Sequence, residues 1–212
     1  MDNLSKKTLL AFAWGTVLYI LLFWFVDRPV DLWLHAHFAE GPVRQWGETI
    51  SWLAWSPAVE IGLALGFLTG VIGVIAGGGR ERPWTRMLFY VCISCAVAIV
   101  IGEGLKILLA RYRPSMLFAQ NLYGLHFFST QGALSSTPSG HTLRAFSILT
   151  ALALLFPRGW IPLMALAALV GIARVMITAH YPSDVLIGAF IGVFSALWVH
   201  RYVYRSGLQG GS

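Results

Sequence analysis

Ten ionisable residues of this chain, Glu60, Glu103 and His200 among them, fall within or beside long apolar runs, where charge is costly and marks a functional site by default, and the other seven map to one end of those runs. In chain order they are Lys106 and Arg113, then His141 and Arg144, then Arg174, His180 and Asp184. Four cations and two histidines share one carboxylate in this set, a balance that calls for an anionic guest.

Spacing divides the work among them. Lys106 and Arg113 are seven residues apart, nearly two turns of ~3.6 residues, and share a helix face until Pro114 disfavours helix at Arg113. Pro138-Ser139-Gly140-His141 reads as a helix start whose first N–H groups lack intrahelical partners and lie at the positive end of the dipole. Gly140 lets a ligand approach that backbone, which makes a phosphate cradle. Asp184 follows His180 by four residues, within reach of one ring nitrogen. A carboxylate there fixes the tautomer and leaves the other nitrogen free to attack.

The chemistry that fits is phosphoryl transfer, which needs chiefly positioning and charge neutralisation. His180 is the expected nucleophile, Asp184 its orienting partner and His141 the acid that protonates a leaving oxygen. Lys106, Arg113, Arg174 and the N–H groups around Ser139 and Gly140 are expected to hold the phosphoryl oxygens. A lone carboxylate is a poor site for Mg²⁺, so no metal or other cofactor is expected. Arg144 shares the face of His141 three residues on, which suits it either to a substrate phosphate or to pairing with Glu103 or solvent. Glu103, three before Lys106, either holds that lysine or makes an interhelical contact.

These groups need a scaffold, and composition says what kind. Of 212 residues 57% are hydrophobic and only 11% charged, and the mean hydropathy is +0.70. Such a chain is neither disordered nor able to coat a soluble globule with charge, so most of its surface is solvated by lipid. The net charge of +6 reads as loop topology, and no basic stripe with interleaved aromatics suggests nucleic acid. Cys92 and Cys95 sit in an apolar run and read as packing residues.

Crossing a bilayer takes ~20 apolar residues. Six runs qualify: roughly 8–26, 57–76, 87–110, 140–156, 160–179 and 182–203. The first reads as a retained anchor, and residues 27–56, with four Trp, as an interfacial segment. Six spans put both termini on one side with Lys6, Lys7, Arg80, Arg82, Arg86, Arg158, Arg201 and Arg205, eight cations against Arg28, Arg44, Arg111 and Arg113 on the other. The positive-inside rule makes the first side cytoplasmic and turns the polar 111–139 loop outward. The expectation is an all-α polytopic membrane protein: one domain over 1–212, six transmembrane helices in one bundle, the active site at the outer membrane interface. Phe118, Tyr123, Phe127 and Phe128 of the loop are expected to dip into lipid or line an acyl entrance.

Lys106-x6-Arg113-Pro114, Pro138-Ser139-Gly140-His141 and Arg174-x5-His180-x3-Asp184 together resemble the three-part signature of the type 2 phosphatidic acid phosphatase family. The resemblance implies a metal-independent membrane lipid phosphatase working through a phosphohistidine at His180, with Asp184 as its partner and His141 as acid–base. It implies Lys106, Arg113, Ser139, Gly140 and Arg174 as phosphate binders. One departure is Ala173, where the family often has Ser or Gly before the arginine. Small bacterial members act on undecaprenyl pyrophosphate, phosphatidylglycerophosphate or lipid A 1-phosphate, and the implied partner is a lipid phosphate. Two other readings stay open here: a phosphotransferase that passes the phosphoryl group to another lipid, and a transporter that uses the cations only to bind an anionic lipid.

Overall fold

The computed structural model describes residues 3–54, 56–77 and 82–204. Among the described residues the regular structure is helical apart from one isolated bridge, Arg111 to Leu125. Helix α1 (Asn3–Leu21) runs through a π-helical turn (Leu22–Val26) into α2 (Asp27–Phe38). Then come α3 (Pro42–Leu53), α4 (Ser56–Ala76), α5 (Pro83–Leu109), the short α6 (Pro114–Gln120), α7 (Gly140–Leu155), α8 (Trp160–Met176) and α9 (Pro182–Val199). Proline opens α3, α5, α6 and α9, at the position where its missing N–H is not needed.

Five helical stretches are long and apolar enough to cross a membrane: Leu4–Phe38, Pro42–Ala76, Pro83–Leu109, Pro157–Met176 and Pro182–Tyr204. The expected fourth span is the exception to the count of six. Helix α7 has 16 residues, about 24 Å at ~1.5 Å per residue, against a hydrocarbon core of ~30 Å. The segment expected to be interfacial is largely two helices, α2 and α3, joined to α1 and α4.

Helix α7 is the centre of the bundle and packs against α9, α8 and α5. The seam with α9 is made by Gly188 and Gly192. A Cβ on Gly188 would lie 2.9 Å from the Ser139 carbonyl, and one on Gly192 2.6 Å from the Leu143 carbonyl and 2.7 Å from the Ser147 nitrogen. Small residues four apart let two helices in lipid come together at the backbone. Gly192→Ala should therefore destabilise the fold by about 1–3 kcal/mol, the usual cost of overpacking. Thermal unfolding in detergent checks this, with Gly62→Ala on α4, where a Cβ would meet nothing within 4 Å, as the control that leaves the transition in place.

The C-terminal ends of α5 and α8 and the N-terminal ends of α7 and α9 meet at one end of the bundle. The loop after α5 folds back over it. The N–H groups of His126, Phe127, Phe128 and Ser129 donate to the carbonyls of Ala110, Leu109, Leu108 and Ile107 at 3.1–3.2 Å, closing carbonyls that a helix end leaves open. Phe127 and Phe128 are left exposed. Phe118 instead stacks on His35, ring centroids 3.9 Å apart, and Tyr123 turns inward.

Candidate active site

His180 lies in the link between α8 and α9 and is only 3% exposed. Its backbone N–H and that of Ala179 both donate to the Arg174 carbonyl, at 3.3 and 3.1 Å, so the chain reverses directly from the arginine to the histidine. The ring nitrogen Nδ1 donates to the Ser136 carbonyl at 2.8 Å. A carbonyl can only accept, so Nδ1 carries the proton and Nε2 keeps its lone pair. Burial drives the ring pKa down to about 4, Asp184 opposes the shift, and Arg174 and Arg113 reinforce it. The imidazole is neutral at pH 7.

Asp184 is not the direct partner of that ring. Its Oδ2 stands 3.8 Å from Nδ1, beyond hydrogen-bond length. The carboxylate is instead saturated elsewhere. It accepts from Arg111 at 2.7 Å, from the Ser136 hydroxyl at 2.6 Å, from the Thr137 hydroxyl and from the Tyr181 N–H at 3.0 Å. Asp184 thus fixes Ser136, and Ser136 orients His180.

At the head of α7 the geometry departs from the expected cradle in one respect. The Ser139 N–H donates to the Asp184 carbonyl at 3.1 Å and is used up there, while its hydroxyl accepts from Thr142 at 2.9 Å. No side chain caps α7, so the cradle consists of the first-turn N–H groups after Ser139. A Cβ on Gly140 would sit 2.8 Å from an Arg144 nitrogen and 3.4 Å from the Lys106 ammonium. Both cations therefore converge on the bare backbone at Gly140. Lys106 is paired with Glu103 at 2.7 Å, and Arg144 donates to the Gly140 carbonyl at 3.0 Å and pairs with Glu60 of α4.

The two remaining arginines differ. Arg113 donates through Nε to the Gly132 carbonyl and through a terminal nitrogen to the Ser135 hydroxyl, both at 3.0 Å. Its pKa is lowered by burial, with Asp184 acting the other way, and an arginine still stays charged. The Nε of Arg174 is buried and has no hydrogen-bond partner among the described residues. Arg174, His180, Arg144 and Lys106 all act electrostatically on His141. Every residue expected in the site is thus gathered at one end of the bundle. Lysine and arginine have no lone pair for a metal, so this lining fits an anion.

Glu103 holds Lys106, one of the two roles the sequence allowed it. Three other participants had no role in the sequence reading. Glu60, about half exposed, pairs with Arg144 in place of the expected Glu103 or solvent. Arg111, read as a loop charge, is fully buried, as is Asp27, read as the end of the first span. Arg111 bridges Asp184 and Asp27, each at 2.7 Å. Its guanidinium lies 4.6, 5.3 and 4.2 Å from the ring centroids of Phe23, Tyr123 and Tyr181. The signal in the sequence was two carboxylates, Asp27 and Asp31, closing an apolar run.

The PAP2 superfamily model matches residues 87–208. The chain belongs to the PAP2 superfamily. It is 34% identical over 199 residues to the lipid A 1-phosphatase of Rhizobium johnstonii, covering 92% of this chain and 79% of that one. It is 32% identical over 139 residues to the undecaprenyl-diphosphatase of Sulfolobus acidocaldarius, covering 59% and 66%. Among solved structures, Aquifex aeolicus LpxE superposes with a TM-score of 0.56 at 18% identity, covering 84% of this chain and 96% of that one. The Bacillus subtilis PAP2-type phosphatidylglycerolphosphate phosphatase does so with 0.58 at 16%, covering 97% and 98%. These likenesses, with the apolar helices, make this PAP2 protein an integral membrane protein.

Proposed function

We propose that this PAP2 protein is a membrane lipid phosphatase that hydrolyses a lipid phosphate or diphosphate through a phosphohistidine at His180. The observation that carries the reading is the fixed tautomer: the Ser136 carbonyl holds the Nδ1 proton, and the Nε2 lone pair is the nucleophile. Nε2 bonds to phosphorus as the phosphorus–oxygen bond to the lipid breaks, and His141 gives its proton to the departing oxygen. Lys106, Arg113, Arg174 and the α7 N–H groups at Gly140 neutralise the equatorial oxygens. Water then attacks the phosphohistidine, His141 takes its proton, and inorganic phosphate leaves. The phosphorylated ring is cationic, and Asp184 at 3.8 Å stabilises it through space.

The relatives named for lipid A 1-phosphate and undecaprenyl diphosphate point to an amphiphile with a terminal phosphate, and lipid A 1-phosphate is the first candidate. Arg144 beside Lys106 suits a second phosphate or the headgroup. The single domain spans 1–212 and lies in the bacterial inner membrane. Its site faces the periplasm or exterior and both termini are cytoplasmic, a reading supported by the eight-to-four charge bias between the two faces.

The test is phosphate release by the detergent-purified protein, in EDTA, from lipid A, a prenyl diphosphate, phosphatidylglycerophosphate and phosphatidic acid. Undiminished turnover in EDTA on at least one is the expected result. Activity lost in EDTA and restored by Mg²⁺ overturns the metal-free mechanism, and disappearance of lipid phosphate without free phosphate reassigns the protein as a phosphotransferase.

A further inference from the structure

Asp27 and Arg111 of the buried ion triplet Asp27–Arg111–Asp184 have no place in the phosphoryl-transfer steps above, yet they are tied to the group that orients the nucleophile. Arg111 donates at 2.7 Å to Asp184 and at 2.7 Å to Asp27, with a further bond of 2.6 Å to the Ser183 hydroxyl. Asp27 accepts from the Ser183 N–H at 3.0 Å and from the Ser183 hydroxyl. Asp27 thereby grips the first turn of α9, and Arg111 sets where the Asp184 carboxylate stands. From Asp184 the chain of contacts continues through the Ser136 hydroxyl at 2.6 Å, then from the Ser136 carbonyl to His180 at 2.8 Å.

Asp27 is the outlying member of this set. It lies 84 residues before Arg111 and outside the matched residues 87–208. It opens α2 directly after the π-helical turn Leu22–Val26. Single π-helical turns inside longer helices re-aim side chains and recur at functional sites. Here the Phe23 carbonyl within that turn accepts the Tyr123 hydroxyl, and the Phe23 ring covers Arg111. All three ionic side chains are shielded from solvent. Loss of one carboxylate would leave the guanidinium under-neutralised in a dry site and free to pull on the other.

We infer that Asp27 and Arg111 are positioning residues for the phosphoryl transfer: the N-terminal helices reach into the site and, through Arg111, hold Asp184 and Ser136 where they orient His180. This rests on the proposed phosphohistidine mechanism. Outer partners that orient a metal-binding residue typically matter 10–100-fold, and an effect on that scale is expected of Asp27, which acts on His180 through Arg111, Asp184 and Ser136.

The test compares D27N, D27E and R111K with the parent in detergent, measuring kcat, KM, the inhibition constant of inorganic phosphate and the unfolding temperature. D27N keeps the shape and removes the charge. The expected result is kcat lowered roughly 10–100-fold, with KM and phosphate inhibition within about threefold because no phosphate-binding side chain has changed. The D27N/R111K double variant should lose no more than the worse single one, as coupled residues do. A purely architectural Asp27 gives a lower unfolding temperature with kcat of the folded fraction unchanged, which overturns the inference. Should D27N fail to fold, D27E decides in the same way: a tenfold fall in kcat supports positioning and a parental kcat overturns it. H180A separates the two levels. If H180A is inactive and D27N is normal, only the positioning role fails, whereas an active H180A removes the mechanism beneath it.

Discussion

Replacing His180 by alanine is expected to lower phosphate release by roughly 10⁴-fold or more, the scale seen when a covalent nucleophile is removed. No neighbour can take over the attack. Asp184 is enclosed by Arg111, Ser136, Thr137 and Tyr181, and His141 is needed as the acid. Near-normal turnover of the folded variant would overturn the assignment. The wild-type pH profile carries a matching signature. Burial, then Arg174 and Arg113, hold the His180 pKa at about 4 against Asp184. The lone pair therefore survives well below the ordinary histidine value of 6.5. After correction for the ionisation of the substrate, the acid limb of kcat/KM should fall near pH 4, roughly tenfold per pH unit. A midpoint at 6.5 would mean a solvated ring. The same depression costs stability as pH falls below 6.5, because the unfolded chain binds the proton first.

Arg174→Ala is expected to lower kcat/KM by roughly 10²–10³-fold, as for loss of one donor that stabilises developing charge. Arg113 is braced by Gly132 and Ser135, whereas the buried Nε of Arg174 has no partner among the described residues. Its charge acts on both His141 and His180, which places it beside the reacting centre. Arg174→Lys should recover only part of the loss, since an ammonium supplies charge without the planar fork. Steady-state kinetics on a lipid phosphate decide, and a fall of less than about fivefold would remove Arg174 from the phosphate-binding set.

Hydropathy made most helices legible, because an apolar run in lipid has no other way to satisfy its backbone. The expected 87–110, 160–179 and 182–203 correspond to α5, α8 and α9, within a few residues. The span count was less legible: α7 matches its expected range, but its 16 residues are fewer than the ~20 that a crossing takes. The cluster itself was readable because its members come in local spacings, Lys106 with Arg113 and His180 with Asp184. What closes the cluster was not. The acceptor for the His180 ring is a main-chain carbonyl, which any residue type could supply. Glu60 reaches Arg144 across 84 positions, and Asp27 reaches Arg111 across another 84. Such distant partners carry no periodic signature.

The glycine seam between α7 and α9 has a consequence for how the enzyme can vary. His141 sits at the head of α7 and His180 just ahead of α9, and those helices touch main chain to main chain at Gly188 and Gly192. Rotamer changes along that seam therefore cannot alter the separation of the two main chains that carry the imidazoles. The heads of the two helices thus stand at a set spacing, whereas Glu60 on α4 and the exposed Phe127 and Phe128 lie outside that seam. Substitutions outside the seam can then accumulate while the packing of α7 on α9 stays the same.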